Sequence, residues 1–309
     1  MLLPLLLLTS GHAAPEPVDV HELWVRADSP TSKALLQTLP LGFAEGQDNG
    51  WLRMDAETAG MDALKRSGLQ WRPAESMGLL PAAYHSPDEL VEALEELAAE
   101  HPSRVQLIDL GWSHEDRPIV GVRITEAESP SAHWRFAGAH HGDETSSAEV
   151  TLEAAIQLAQ STDPDVVSLL QSDVVWIIPH VNPDGVARVS RYNANNVDLN
   201  RNYGYEWSPL EFRSGDRAFS EPETRNIRAL SHWVPFGAGI SLHSGATNLG
   251  WVWNYTTTPS PDAEIVEDIA EAYEEECDQM GFYITNGADW YVTHGDTTDW
   301  AYGRHGTLD

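Results

Sequence analysis

A chain of 309 residues, 41% of them hydrophobic, can bury a sizeable core as one large domain or two unequal ones. Its 48 acidic residues outnumber 18 basic ones, and the net charge of −30 argues against nucleic acid or an anionic membrane as a partner. Lys33 and Lys65 are the only lysines, which fits either an adaptation to high salt or simply an acidic surface. The single cysteine, Cys277, falls in a helical stretch and excludes an intramolecular disulfide.

In chain order, Met1 to Ala14 is a short apolar run that ends in small residues, too short to span a bilayer. It reads as a secretory signal without its basic n-region, so the expected location is secreted or periplasmic. Residues 15–75 alternate strand and helix signals and are expected to form a small α+β unit. His21–Arg26, Trp51–Met54 and Leu69–Arg72 read as strands, and Ser29–Leu36 and Ala59–Ser67 as helices. Residues 74–81 read as a linker. A helix then starts at Ser86, with Pro87 in its first position and Glu89 placed for a capping box.

Beyond Pro102 the pattern becomes strand–helix alternation. Strands are expected at Val105–Leu110, Ile119–Ile124, Trp134–Ala139, Val174–Pro179 and Ala238–Leu242, and helices at Glu144–Gln160, Glu221–Val234 and Pro261–Met280. Runs such as Val174-Val-Trp-Ile-Ile178 are apolar without alternation, as in strands covered on both faces. The expected class is α/β, with a mostly parallel sheet and helices on both faces. No twenty-residue apolar span follows the first residues, and no signal sets the oligomeric state.

Between a strand and a helix stands His141-Gly-Asp-Glu144, and His243 closes a later strand. Alone, His-x-x-Glu is a common surface pair and a terminal histidine is more often structural. Together the three residues supply the His₂Glu set that holds hydrolytic zinc and leaves a position for water. Asn182-Pro-Asp-Gly185 is a strong turn signal. Then comes the polar run Arg191-Tyr-Asn-Ala-Asn-Asn-Val-Asp198-Leu-Asn200-Arg201-Asn202, either a solvated loop or a carboxylate grip beside a metal. In the second case Asp198 would orient a metal-bound imidazole. Thr285-Asn-Gly-Ala-Asp-Trp-Tyr291 and the residues to Trp300 suggest a shaped loop, with Tyr291 able to cap a substrate.

In this order these motifs resemble the zinc metallocarboxypeptidases of the carboxypeptidase A and B clan over roughly residues 80–309, and the carboxyl half looks most like its carboxypeptidase N/E branch. The resemblance implies a mixed, mostly parallel, eight-stranded-type sheet, and a small activation-type prodomain in residues 15–75. It implies one Zn²⁺ held by His141, Glu144 and His243, with Arg191 polarising the scissile carbonyl. It also implies that Asn200 and Arg201 clamp the terminal carboxylate of a peptide or protein and that Tyr291 folds over the bound residue. The specificity pocket would carry Asn254 and Thr298, neither of them acidic, so neutral or polar terminal residues are expected. The family's general-base glutamate would fall roughly a dozen residues beyond Asp299-Trp300. That point lies past Asp309, so the sequence reads as cut before its base and this stretch alone as inactive. Two other readings compete: a zinc amidase or deacylase acting on cell-wall peptides or acyl-amino acids, and a non-catalytic binding protein.

Overall fold

The computed structural model describes residues 19–48, 50–74, 84–277 and 281–309. The expected signal at residues 1–14 and most of the expected linker lie outside them.

The N-terminal unit contains β1 (His21–Arg26), α1 (Pro30–Leu36), β2 (Gly42–Asp48), β3 (Trp51–Ala56), α2 (Thr58–Ser67) and β4 (Trp71–Pro73). Its sheet runs β2-β3-β1-β4 and is antiparallel throughout. Period-two alternation turns Leu23 and Val25 of β1 and Leu52 and Met54 of β3 to one face, where they pack with Leu36 and Leu64 of the two helices. β2 was not foreseen. Gly42-Phe-Ala-Glu-Gly-Gln-Asp48 has no β-branched residue, and its register slips between Phe43 and Gln47.

The larger unit opens with α3 (Pro87–Glu100). Ser86 Oγ accepts from Glu89 N at 3.3 Å, and Ser86 N donates to Glu89 Oε2 at 2.9 Å, which completes the expected capping box. There follow β5 (Val105–Trp112), β6 (Pro118–Ile124), β7 (His133–Gly138), α4 (Thr145–Gln160), α5 (Pro164–Ser172), β8 (Val174–Ile178) and α6 (Pro183–Arg188). The chain continues through a 3₁₀ turn at Leu199–Arg201 to α7 (Pro222–Trp233), β9 (Ala238–Leu242) and β10 (Asn248–Trp251). It ends with α8 (Ala263–Glu276), β11 (Tyr283–Asn286), α9 (Gly287–Trp290) and α10 (Thr297–His305). Cys277 caps α8 and is partly buried.

The expected mixed α/β sheet with helices on both faces is present. Among the described residues it has five strands rather than eight, in the order β5-β6-β8-β7-β9. β5–β6 and β6–β8 pair antiparallel, and β8–β7 and β7–β9 pair parallel, so parallel pairs are not the majority. β5 and β6 form a hairpin across the turn at Ser113–Arg117, and a hairpin is antiparallel by construction. Among the described residues, β10 and β11 pair only with each other, in a separate parallel ribbon. Leu308 makes a parallel bridge to Ala238 on the outer side of β9.

Neighbouring strand residues serve opposite faces. Val122, Ile124 and Ile177 pack under α3, α4 and Leu170 of α5. Ile119, Ala137 and Ile178 pack against Leu199, Tyr203, Ile227 and Trp300 on the other side. That second layer places the polar run 191–202 over the sheet end where β7 and β9 finish.

The two units touch around that same edge. Phe43 of β2 stacks on Tyr291 with centroids 3.7 Å apart, and meets Trp290 edge-on at 5.5 Å. The Tyr192 hydroxyl donates to Asp55. Arg213 Nη2 donates to Glu57 Oε1 at 2.9 Å, and Arg53 Nη2 lies 3.7 Å from Asp143 Oδ2.

Two buried acids at the start of α7 tie down the polar run. Asn193 Nδ2 donates to Glu221 Oε2 at 2.8 Å and to Glu223 Oε2 at 3.1 Å, and His114 N donates to Glu223 Oε1 at 3.0 Å. Burial, with the Glu221 charge adding, pushes the Glu223 carboxyl up to about 7 from its ordinary 4.5, although these hydrogen bonds oppose the shift. The folded chain then keeps a proton that the unfolded chain has released, so stability falls as pH rises between those values. Glu223→Gln should flatten that fall, by on the order of 3 kcal/mol, when urea unfolding is followed at pH 4.5 and above 7.

Candidate metal centre

Gly138, the last residue of β7, lies tight against the first turns of α4. A Cβ there would come within 2.6 Å of Thr151 Oγ1 and 2.8 Å of Ser147 O. The chain leaves the strand through Ala139, in the left-handed region at φ 47°, and turns His141 inward. Gly142 admits no side chain, since a Cβ would lie 1.9 Å from the Gly185 carbonyl carbon. Glu144 stands at the N-cap position of α4, its side chain making no capping bond and turned to the centre, rather than within the first helical turn as the sequence suggested. His243 directly follows β9, the strand beside β7 in the sheet.

These positions bring the three expected ligands together. His141 Nδ1 is 2.9 Å from Glu144 Oε1, and His243 Nδ1 is 2.7 Å from Glu144 Oε2. One ligand atom from each of the three lies within 4.8 Å of the other two, and no other group of three His, Cys, Asp or Glu among the described residues does so. His141 Nε2 donates to Asp198 Oδ1 at 3.1 Å, which leaves Nδ1 as the nitrogen facing the centre. Two imidazoles and a carboxylate, one imidazole fixed from behind by a second carboxylate, fit the donor set of a zinc ion with a position left for water.

The polar run supplies the next layer. Asn182 caps α6 by accepting from Gly185 N at 2.9 Å, and its amide reaches His140 O at 3.2 Å and Arg191 O at 3.4 Å. The expected turn is thus a short helix start that joins the ligand turn to the run. Arg191 Nε and Nη2 approach Asp198 Oδ2 at 3.0 and 2.9 Å, and Arg191 Nη1 lies 3.6 Å from Glu144 Oε1. Burial alone would raise the Asp198 carboxyl. The charges of Arg191, His141 and Arg201 outweigh it and hold the group well below the usual range.

Asn200 N also donates to Asp198 Oδ1, at 2.9 Å, and the Asn200 carbonyl oxygen Oδ1 accepts from Thr297 N at 2.9 Å. Arg201 is buried, and its Nη1 donates to Asn200 O at 2.7 Å. Its guanidinium carbon lies 6.0 Å from the Tyr291 ring centroid. Asn200, Arg201, His243, Asn254, Tyr291 and Thr298 share the lining of one cavity of about 340 Å³. All the residues singled out in the sequence therefore meet at this centre or its pocket.

Sequence reasoning missed Asp296, which also lines the cavity. It caps α10 by accepting from Asp299 N at 2.8 Å. A Gly-Asp pair ahead of a helix is a start signal, but residues 285–300 had been read as one loop. Asp296 also accepts from Thr298 Oγ1 at 2.9 Å, Thr293 Oγ1 at 2.9 Å and Asn254 Nδ2 at 3.3 Å.

Asp198→Asn should lower Zn²⁺ affinity by about 10- to 100-fold, and His243→Ala by more, in a competition titration against a chromophoric chelator. Equal affinity in all three proteins would show that these residues hold no metal.

Comparison with known proteins agrees with this geometry. The zinc carboxypeptidase (peptidase M14) family model matches residues 90–308. Carboxypeptidase D of Mus musculus is 30% identical over 260 residues, covering 71% of this chain and 18% of that protein. Zinc carboxypeptidase A 1 of Anopheles gambiae is 29% identical over 247 residues, covering 71% of this chain and 57% of that protein. The chain thus spans less than two thirds of the length of these relatives. Among solved structures, carboxypeptidase A from Helicoverpa armigera superposes with a TM-score of 0.76 at 22% identity, over 93% of this chain and 86% of that one. The structure of thrombin activatable fibrinolysis inhibitor gives 0.70 at 21%, over 94% and 90%. From residue 90 onward, the chain belongs to the zinc carboxypeptidase family.

Proposed function

We propose that this chain carries the working site of a secreted or periplasmic carboxypeptidase that removes the last residue of peptides or proteins. One observation carries the reading: Arg201 and Asn200 line the same cavity as the metal-ligand residue His243. An arginine fork beside a metal centre grips a carboxylate and sets its neighbouring peptide bond over the metal. An internal peptide bond offers no carboxylate, so the grip selects chain ends.

When bound, a zinc ion would polarise the scissile carbonyl and lower the pKa of a water. The residues of this chain would bind and orient the reacting groups. His141, Glu144 and His243 would hold the ion, and Asp198 keeps the His141 ring in one orientation. Arg191, held by Asp198, points Nη1 toward the His141–Glu144 side, where it would stabilise a developing oxyanion. Tyr291 would close over the bound residue and shed water from it.

The pocket supports a preference for neutral or polar terminal residues. Asn254 Nδ2 donates to Thr298 Oγ1 at 2.7 Å, and the Asp296 carboxylate takes four internal hydrogen bonds. Three of these bonds fall on Oδ1 and one on Oδ2, so the carboxylate is held against its own loop by four donors of the pocket wall. The N-terminal unit would act as a cover, because Phe43 lies on the capping Tyr291 and Arg53 reaches Asp143 between two ligands.

In the full-length protein, which would supply the general base, a peptide with a free C-terminal carboxylate should be cleaved about a hundredfold faster in kcat/KM than its C-terminal amide, and chelation should abolish both rates. Amides cleaved as fast as acids would point to an amidase instead. Within a panel of blocked dipeptides, glutamine and other neutral ends should outrun lysine and arginine. Asp55→Ala together with Glu57→Ala, which loosens the N-terminal unit, should raise turnover of long peptides; an unchanged rate would remove the cover.

A further inference from the structure

Arg201 has an anionic neighbour that the carboxylate grip does not use. Glu211 lies in the loop between the 3₁₀ turn and α7. Its Oε2 is 3.9 Å from Arg201 Nε, and its Oε1 accepts from His294 Nδ1 at 2.8 Å. The Arg201 guanidinium is therefore restrained on two sides, by the Asn200 carbonyl at Nη1 and by the Glu211 charge at Nε. At 3.9 Å the second restraint is Coulombic rather than a hydrogen bond.

His294 in turn holds Glu211. The Glu211 hydrogen bond raises the His294 pKa, burial opposes it, and the charges of Asp296 and Glu206 add to the rise. His294 stands between the capping Tyr291 and the pocket residue Asp296, so the pair joins the segment that caps to the segment that clamps. The two segments also meet through backbone: Tyr203 N donates to Gly295 O at 2.8 Å, and a Cβ on Gly295 would lie 2.6 Å from Arg201 O. On its other side, Glu211 adjoins Phe212 and Arg213, which contact Gly42 and Glu57 of the N-terminal unit.

We propose that Glu211, held by His294, is a positioning residue for the clamp. An arginine binds a carboxylate in two-point fashion only when its plane is set correctly, and the Nε edge that faces Glu211 is one of the two edges it can offer. With that edge drawn toward the Glu211 charge, Arg201 presents its Nη end to the cavity, and an α-carboxylate binds there end-on. The inference rests on the carboxypeptidase reading of Arg201.

The test is calorimetric binding of N-acetylglutamine and its C-terminal amide to the full chain, with wild type, Glu211→Gln and His294→Gln compared. Wild type should prefer the acid. Glu211→Gln should lose about tenfold in affinity for the acid and none for the amide. His294→Gln, which keeps Glu211, should lose less. In an Arg201→Lys background, which keeps the charge without the fork, Glu211→Gln should have no further effect. If wild type does not discriminate acid from amide, the clamp falls and the role of Glu211 with it. If wild type discriminates and Glu211→Gln does so equally well, only the positioning role is overturned. Should Glu211→Gln melt early, His294→Gln carries the test, and an unchanged acid preference in it overturns the pair.

Discussion

The Asp198 carboxylate is where the local geometries of this centre are reconciled. One oxygen takes the Nε2–H of His141 and the backbone N–H of Asn200, and the other takes Arg191. A ligand, the start of the carboxylate grip and the residue placed for oxyanion stabilisation thus hang on one group. Burying an anion is expensive unless it is paired and hydrogen-bonded, and here the pairing is complete. Removing this carboxylate would leave a buried guanidinium and an unanchored imidazole, so the cost would be spread over all three functions at once.

The same accounting runs through the rest of the chain. Asp184, Glu221, Glu223, Asp296 and Asp299 are all buried as well. Each is met by donors from a loop that needs holding: Asp184 by Ser113, Glu115 N and Arg117, Glu221 and Glu223 by Asn193, and Asp299 by Asn254 N and Tyr255 N. Buried acids hold these loops by hydrogen bonds, as leucines hold the strands by burial.

How legible this was depends on where the information lies. The capping box at Ser86, the apolar strands and the helix after Glu144 are local patterns with a period or a cap, and they were read with boundaries close to those observed. The ligand pair His141 and Glu144 was legible for the same reason. Strand direction was not, because an apolar run is equally suited to a parallel or an antiparallel neighbour. β2 was missed for want of β-branched residues, and α5, α6 and α10 because short helices between turns give too few periods to register. Asp296 and Glu211 sit in segments without periodicity. Their importance comes from what faces them, Thr298 and Asn254 in one case and Arg201 and His294 in the other.

The sequence by itself determined the chemistry available: two imidazoles, one carboxylate, an arginine-rich polar run and a late tyrosine, in an order that resembles one family. Tertiary structure decided how these were used. It turned both Nδ1 atoms toward Glu144, gave Asp296 donors from Thr293 and Thr298, and laid Phe43 of a separate unit on Tyr291. The physical reason is range. Helix caps and periodicities act over a few residues and are written in the local sequence. Charge satisfaction and ring stacking act across space between residues tens to hundreds of positions apart, and exist only once the sheet has brought its ends together.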